Sequence, residues 1–187
     1  MKVIGITGTI GAGKGTIVEY LTSKKGFLHY SVRAFLVEEL ERRKMPVNRD
    51  TMTSLANTLR AQNSPSYITD ALHERAISTG KSAVIESIRT PGEIDSLRNK
   101  GDFLLFAVDA KPETRYQRII ERKSETDSIS WETFLANEKR EMNSTDPNKQ
   151  NLRKCIEMAD YVFNNDESID DLYAEVERVL EREGLDD

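Results

Sequence analysis

The chain has 187 residues, with 27 Lys and Arg against 32 Asp and Glu and a net charge of −5 at pH 7. That length suits one domain, and a hydrophobic fraction of 37% is enough for a core at this size. With 32% charged residues, a mean hydropathy of −0.57 and longest apolar runs such as 103–108, it has no stretch able to span a bilayer, and no membrane partner is expected. A pI of about 5.3 gives no global basic field, so nucleic acid is not an expected partner either. One cysteine, Cys155, excludes an internal disulfide framework and a Cys-based zinc site. The start MKVIGITG lacks the apolar core of a secretory signal, so a cytoplasmic protein, monomer or homodimer, is expected.

In chain order, 2–7 (KVIGIT) is a short β-branched run of the kind a fully buried parallel strand shows. A glycine-rich turn at 8–15 leads into a helix over 14–25, with Ile17, Val18 and Leu21 on one face, and 27–31 (FLHYS) predicts a second strand. Val32, Phe35, Leu36 and Leu40 recur at helical spacing over 32–44 until Pro46 and Asn48 break the pattern. Two more helices are expected at 50–63 and 66–79, parted by Ser64-Pro65 and stopped by Gly80. Strands follow at 83–87 (AVIES) and 103–108 (FLLFAV), with helices at 91–99 and 112–123, the latter opened by Pro112. The stretch 124–150 is polar apart from Trp131, Phe134 and Leu135, which should anchor a helix, and Asp146-Pro147-Asn148 predicts the start of another. A last strand at 160–163 precedes a helix from about Ser168 to Glu183. Strands alternating with helices predict a parallel sheet covered on both faces.

The sharpest chemical signal is Gly8-Thr9-Ile10-Gly11-Ala12-Gly13-Lys14-Gly15-Thr16. A polyphosphate needs backbone N–H groups turned inward and no side chains in the way, which glycines at 8, 11, 13 and 15 provide around Ala12. The following helix adds the partial positive charge of its N-terminus, and Lys14 a full charge for the β- and γ-phosphates. The match to G-x-x-x-x-G-K-[ST] fails only at its last position, where Gly15 stands and the hydroxyl comes one residue later, at Thr16. ATP with Mg²⁺ is the expected cofactor.

The G-x-G-K-G-T variant resembles adenylate kinases and related nucleoside monophosphate kinases. Val84-Ile85-Glu86-Ser87-Ile88-Arg89 sits where those kinases have an Asp-Gly followed closely by Arg. The segment from Asp109 to Arg122 resembles their strand–helix–lid entrance, and Ala159 to Asp166 resembles the last strand and adenine-side loop of dephospho-CoA kinases. Over most of the chain the pattern resembles the archaeal-type adenylate-kinase-related proteins. The resemblance implies a three-layer α/β P-loop NTPase fold with a five-stranded parallel sheet in the order 2-3-1-4-5. It also implies an acceptor-binding helical region near 32–80 and a short lid near 123–145, all within one domain over 1–187.

Glu86 ends a buried strand beside the expected phosphate site, where a carboxylate can help Thr16 hold Mg²⁺ or orient the acceptor oxygen. Arg60 and Arg89 are the candidates for an acceptor phosphate, which a planar guanidinium grips with two parallel hydrogen bonds. Ser31 and Arg33 follow the second strand, where the family has a Ser/Thr-x-Gly-Asp-like stretch. Arg33 stands at its glycine and Ala34 at its aspartate, a departure that counts against ordinary AMP recognition. Arg115, Arg118 and Arg122 share one helical face, and Arg118 and Arg122 with Arg140 are expected to converge on the transferring phosphate when the lid closes. Asn164, Asn165 and Asp166 either contact adenine or form a turn; His29 and His73 have no metal-spaced companions and are expected to be structural, and Cys155 a core thiol. The expected activity is transfer of the ATP γ-phosphoryl group to a small phosphorylated acceptor, first a (deoxy)nucleoside monophosphate. The alternatives are a dephospho-CoA-kinase-like transfer to a hydroxyl, an ATP-hydrolysing regulatory switch, and a binding module without activity.

Overall fold

A computed structural model of the chain describes residues 1–122 and 129–185. Five strands, β1 (Val3–Gly8), β2 (Leu28–Ser31), β3 (Ala83–Glu86), β4 (Phe103–Asp109) and β5 (Tyr161–Asn164), form one parallel sheet in the order β2-β3-β1-β4-β5. This is the order expected from the sequence. β1 lies at its centre, with Val3 opposite both Ala83 and Phe103, and all six of its residues are buried.

The pleat sends alternate side chains into two cores. Val3, Ile85 and Leu105 pack on one side against helices α2 (Val32–Arg42), α3 (Arg49–Gln62), α4 (Tyr67–Ile77) and α5 (Pro91–Asn99). Ile4, Ile6, Val84, Phe106 and Val108 pack on the other against α1 (Lys14–Lys25) and α9 (Ile169–Arg182). Helices α6 (Pro112–Arg122), α7 (Trp131–Met142) and α8 (Leu152–Glu157) complete the fold. A small third core joins α6 and α7 to the glycine loop through Ile119, Phe134 and Ile10.

The local stop and start signals behave as the sequence predicts. Asn48 caps α3, Ser168 caps α9, and Thr90 and Glu93 close a reciprocal capping box on α5 behind Pro91. Two expectations are corrected. Asp146-Pro147-Asn148 forms a turn, Asp146 accepting from the Asn148 and Lys149 N–H groups, and the helix starts only at Leu152, behind the cap of Asn151. Leu135 is exposed, and Phe134 is the buried anchor of α7. The lid expected over 123–145 lies partly outside the described residues, and its described part is mainly α7.

Parallel strands bring every C-terminal end to one edge of the sheet, the crevice where such folds bind ligands. Gly8, Ser31, Glu86, Asp109 and Asn164 all end there.

Candidate active site

The glycine loop leaves β1 at Gly8 and enters α1 at Gly13, which has φ of 106° and carries no side-chain cap. The loop is closely braced. A Cβ at Gly8 would lie 2.1 Å from the Val108 carbonyl oxygen, and one at Gly13 would lie 2.2 Å from the Asn165 Nδ2. Gly15 differs: a Cβ there would meet nothing within 4 Å, so packing does not require this departure from the motif. Lys14 bends back over the loop, its Nζ donating to the Gly8 and Thr9 carbonyls at 2.9 and 2.8 Å. Burial and then the nearby Arg89 guanidinium lower its ammonium to about 7, against the pull of Glu86 and Glu141. A polyphosphate fits this cradle because it offers what the loop lacks, negative charge beside a desolvated cation.

Side chains tie the loop to its neighbours. Thr9 Oγ1 donates to Asp109 Oδ1 at 2.5 Å, and Asn165 Nδ2 donates to the Ala12 carbonyl at 2.8 Å. The Asn165 amide is thus committed to the loop and braces it instead of facing a base. Arg118 Nη2 donates to the Asn165 carbonyl at 2.7 Å, while its Nη1 is buried with no partner among the described residues. Arg115 is fully inside: it donates to the Ala110 and Ile10 carbonyls and pairs with Glu138 of α7.

Glu86, at the end of β3, accepts from His29 Nε2 at 2.8 Å. Burial tends to raise its carboxyl, but the His29 hydrogen bond and the charges of His29, Lys14 and Arg89 hold it below its usual range. The next residue, Ser87, has φ of 70°, a strained value for a non-glycine residue, at the position where the resembling kinases carry glycine. Thr7 Oγ1 and the Ile6 carbonyl then pin Ile88, so the chain is steered to present Arg89. Thr16 and Glu86 offer hard oxygen ligands of the kind Mg²⁺ takes. Among the described residues no three His, Cys, Asp or Glu side chains form a metal cage, so these two would hold the ion together with nucleotide phosphates.

Beside this edge lies a cavity of about 100 Å³ between α2, α3, the β3–α5 turn and the end of α7. Arg33, Arg49, Arg60 and Arg89 line it, with Glu141 as its one acidic lining residue. Arg60, 2% exposed, is held from behind by Glu93 at 2.8 Å, and Glu93 also caps the Arg89 and Thr90 N–H groups. Glu141 bridges Arg49 at 2.5 Å and Arg89 at 3.1 Å, and Gln150 accepts from Arg89 at 2.8 Å. Burial raises the Glu141 carboxyl, but Arg89 and Arg49 more than offset this and keep it ionised below its usual range.

Of the expected acceptor residues, Arg33, Arg60 and Arg89 meet at this cavity. Ser31 instead caps α2, accepting from the Ala34 N–H at 3.2 Å. Arg140 does not line the cavity; it lies at the surface against Asp50 of α3, because its neighbour Glu141 takes the inward face of α7. Arg122 is exposed at the end of α6. Sequence reasoning missed Arg49, Glu141, Glu93 and the His29–Glu86 contact. Only two of these carried a signal: Glu93 stands three residues after Thr90 in a capping-box spacing, and Glu141 falls seven residues after Phe134, on the same helical face.

A family model described as an AAA domain matches residues 4–146. A UPF0200 protein of Thermococcus sibiricus is 28% identical over 98% of this chain and 96% of its own length. One of Pyrobaculum aerophilum is 29% identical over 96% and 97%. Among solved structures, the protein TT1252 of Thermus thermophilus superposes with a TM-score of 0.64 at 22% identity, covering 97% of both chains. A Sinorhizobium meliloti gluconokinase gives 0.62 at 16% identity over 97% and 92%, and a Bacteroides thetaiotaomicron shikimate kinase 0.60 at 15% over 96% and 98%. The fold is therefore that of the P-loop kinases, and family, fold and loop together support a nucleotide-dependent phosphotransferase in general terms. Among the described residues, no helix is long and apolar enough to cross a membrane. On the match over residues 4–146, the chain belongs to the AAA-domain family AAA_18.

Proposed function

We infer that the protein transfers the γ-phosphoryl group of ATP to a small phosphorylated acceptor, a (deoxy)nucleoside monophosphate being the first choice. The observation that carries this reading is the charge of the cavity wall. Four arginines, Arg33, Arg49, Arg60 and Arg89, face two carboxylates, Glu93 and Glu141, leaving a surplus of two positive charges next to the loop lysine. A phosphomonoester dianion neutralises that surplus; a neutral acceptor leaves it uncompensated.

The chain's own part in the reaction is placement and charge. The glycine loop and the α1 N-terminus hold the donor phosphates, and Lys14 swings from its carbonyls onto them. The arginine wall holds the acceptor so that its phosphate oxygen faces the γ-phosphorus. That oxygen is already anionic, so no side chain has to remove a proton. Thr16 and Glu86 would hold Mg²⁺, which would supply neutralisation of the phosphate charge. Arg118, held to the Asn165 carbonyl beside the loop, and Arg122 are assigned to the donor side, where they would stabilise the transferring group. The described part of the expected lid, mainly α7, would serve to keep water out.

A panel of nucleoside and deoxynucleoside monophosphates, with dephospho-CoA and no acceptor as further arms, tests this by coupled ADP release. Acceptor-dependent turnover with a monophosphate, lost in Lys14→Ala, is the expected result. Turnover with dephospho-CoA alone moves the acceptor group to a hydroxyl. Slow turnover independent of any acceptor makes the protein an ATP-hydrolysing switch and refutes the kinase reading.

A further inference from the structure

Among the described residues, two guanidinium donors of the cavity wall have nothing to donate to. Arg49 Nε and Arg60 Nη1 are both buried and lack a hydrogen-bond partner among the described residues, although both side chains line the same cavity. A buried charged N–H without an acceptor is costly, and two of them on one cavity wall call for an acceptor that a bound anion would supply. The rest of each group is fixed: Glu93 holds Nε and Nη2 of Arg60 at 3.2 and 2.8 Å, and Glu141 holds Nη2 of Arg49 at 2.5 Å. Neither arginine can therefore turn away from the cavity without giving up a carboxylate that is itself only 3% exposed or less.

We propose that Arg49 is a further acceptor-binding residue, that its Nε–H and the Arg60 Nη1–H together receive the oxygens of one phosphate group, and that Glu141 is the positioning residue that aims Arg49. The idea deepens the kinase reading, since it names the group recognised at that site. Arg49 enters from the first turn of α3 and Arg60 from its last, so one helix supplies both donors to the cavity wall. Arg89, bridged to the same Glu141, supplies the third side. Glu141 accepts from Arg49 and Arg89 at once, which keeps two like charges together and pointed inward before any anion arrives.

The test measures binding of inorganic phosphate, with the glycine loop filled by a non-hydrolysable ATP analogue, by titration calorimetry. Wild type binds one phosphate. Arg49→Ala weakens that binding about ten- to hundredfold, the range for one charge-assisted hydrogen bond, and Arg49→Lys does not restore it because it has no Nε–H donor. Arg42→Ala, an exposed residue paired with Glu39, binds as wild type does. The double variant Arg49→Ala/Glu141→Gln removes both members of the pair and keeps the net charge. If Arg49 touches the phosphate, the double variant stays weak; if Arg49 only satisfies Glu141, binding recovers and the proposal is overturned. Equal binding by wild type and Arg49→Ala overturns it as well. Phosphate binding that depends on Arg49 without transfer to any acceptor would sink the kinase reading and leave this site standing. Transfer that is unchanged in Arg49→Ala would do the reverse.

Discussion

The loop lysine makes proton uptake a signature of nucleotide binding. In the ligand-free protein, burial and the charge of Arg89 lower Lys14 from 10.5 to about 7. At pH 8 about nine-tenths of such a group is neutral, and about half is neutral if its value lies one unit higher. Bound triphosphate reverses the balance, because anionic oxygens beside a desolvated amine favour its charged form. Binding ATP at pH 8 should therefore take up about half to nine-tenths of a proton, and about a tenth or less at pH 6. The apparent ATP affinity should fall by up to about tenfold per pH unit above 7. Calorimetric titration in two buffers of different ionisation enthalpy reads the uptake directly, and Lys14→Ala should abolish it. The same lysine acts on stability with a definite sign. Its folded value is below its unfolded one, so the penalty is complete below about pH 7 and is relieved as pH rises from about 7 towards 10.5. Identical binding enthalpies in the two buffers at pH 8, with affinity flat between pH 7 and 9, would refute the argument.

Other outcomes follow from single contacts. Glu93→Ala strands the buried Arg60 guanidinium and removes the α5 capping box, so urea unfolding should show a loss of about 3–5 kcal/mol. Ser87→Gly relieves a left-handed φ of 70° and should stabilise by up to about 1 kcal/mol in the same assay; destabilisation would mean its hydroxyl matters more than its backbone. Gly15→Thr meets open space and restores a hydroxyl at the usual motif position, so the Mg²⁺ concentration giving half-maximal turnover should fall several-fold with no loss of folding stability. Cys155 is fully buried, and burial together with the charge of Glu93 pushes its thiol well up, so alkylation should proceed only as fast as the protein unfolds; rapid labelling of the native protein would contradict this.

The strands and the loop were legible because both rest on local pattern, whereas the order of the strands came with the family resemblance. KVIGIT and FLLFAV are apolar on both faces, as strands covered by helices must be, and glycines followed by a lysine at a strand–helix junction have few other uses. Caps and breaks were legible for the same reason, since Asn48, Thr90, Pro91 and Ser168 act on the residues next to them. The start of α8 was misjudged because Asp146-Pro147 has the composition of a helix start, but its carboxylate folds into a turn with Asn148.

The arginines show the limit most clearly. The sequence singles out Arg60, Arg89 and Arg140 by motif and resemblance, passes over Arg49, and gives no sign of which carboxylate each of these arginines or Arg115 meets. Their fates depend on partners 23 to 92 positions away: Glu93 for Arg60, Glu141 for Arg49 and Arg89, Glu138 for Arg115, Asp50 for Arg140. A guanidinium carries the same charge wherever it sits, and only burial beside a particular carboxylate decides whether it braces a loop, lies in solvent or faces a cavity. The sequence by itself determined the sheet and the phosphate loop, where hydrophobic period and backbone freedom act within a few residues. Tertiary structure alone decided which charges surround the acceptor cavity, because that is set by long-range pairing that no local pattern encodes.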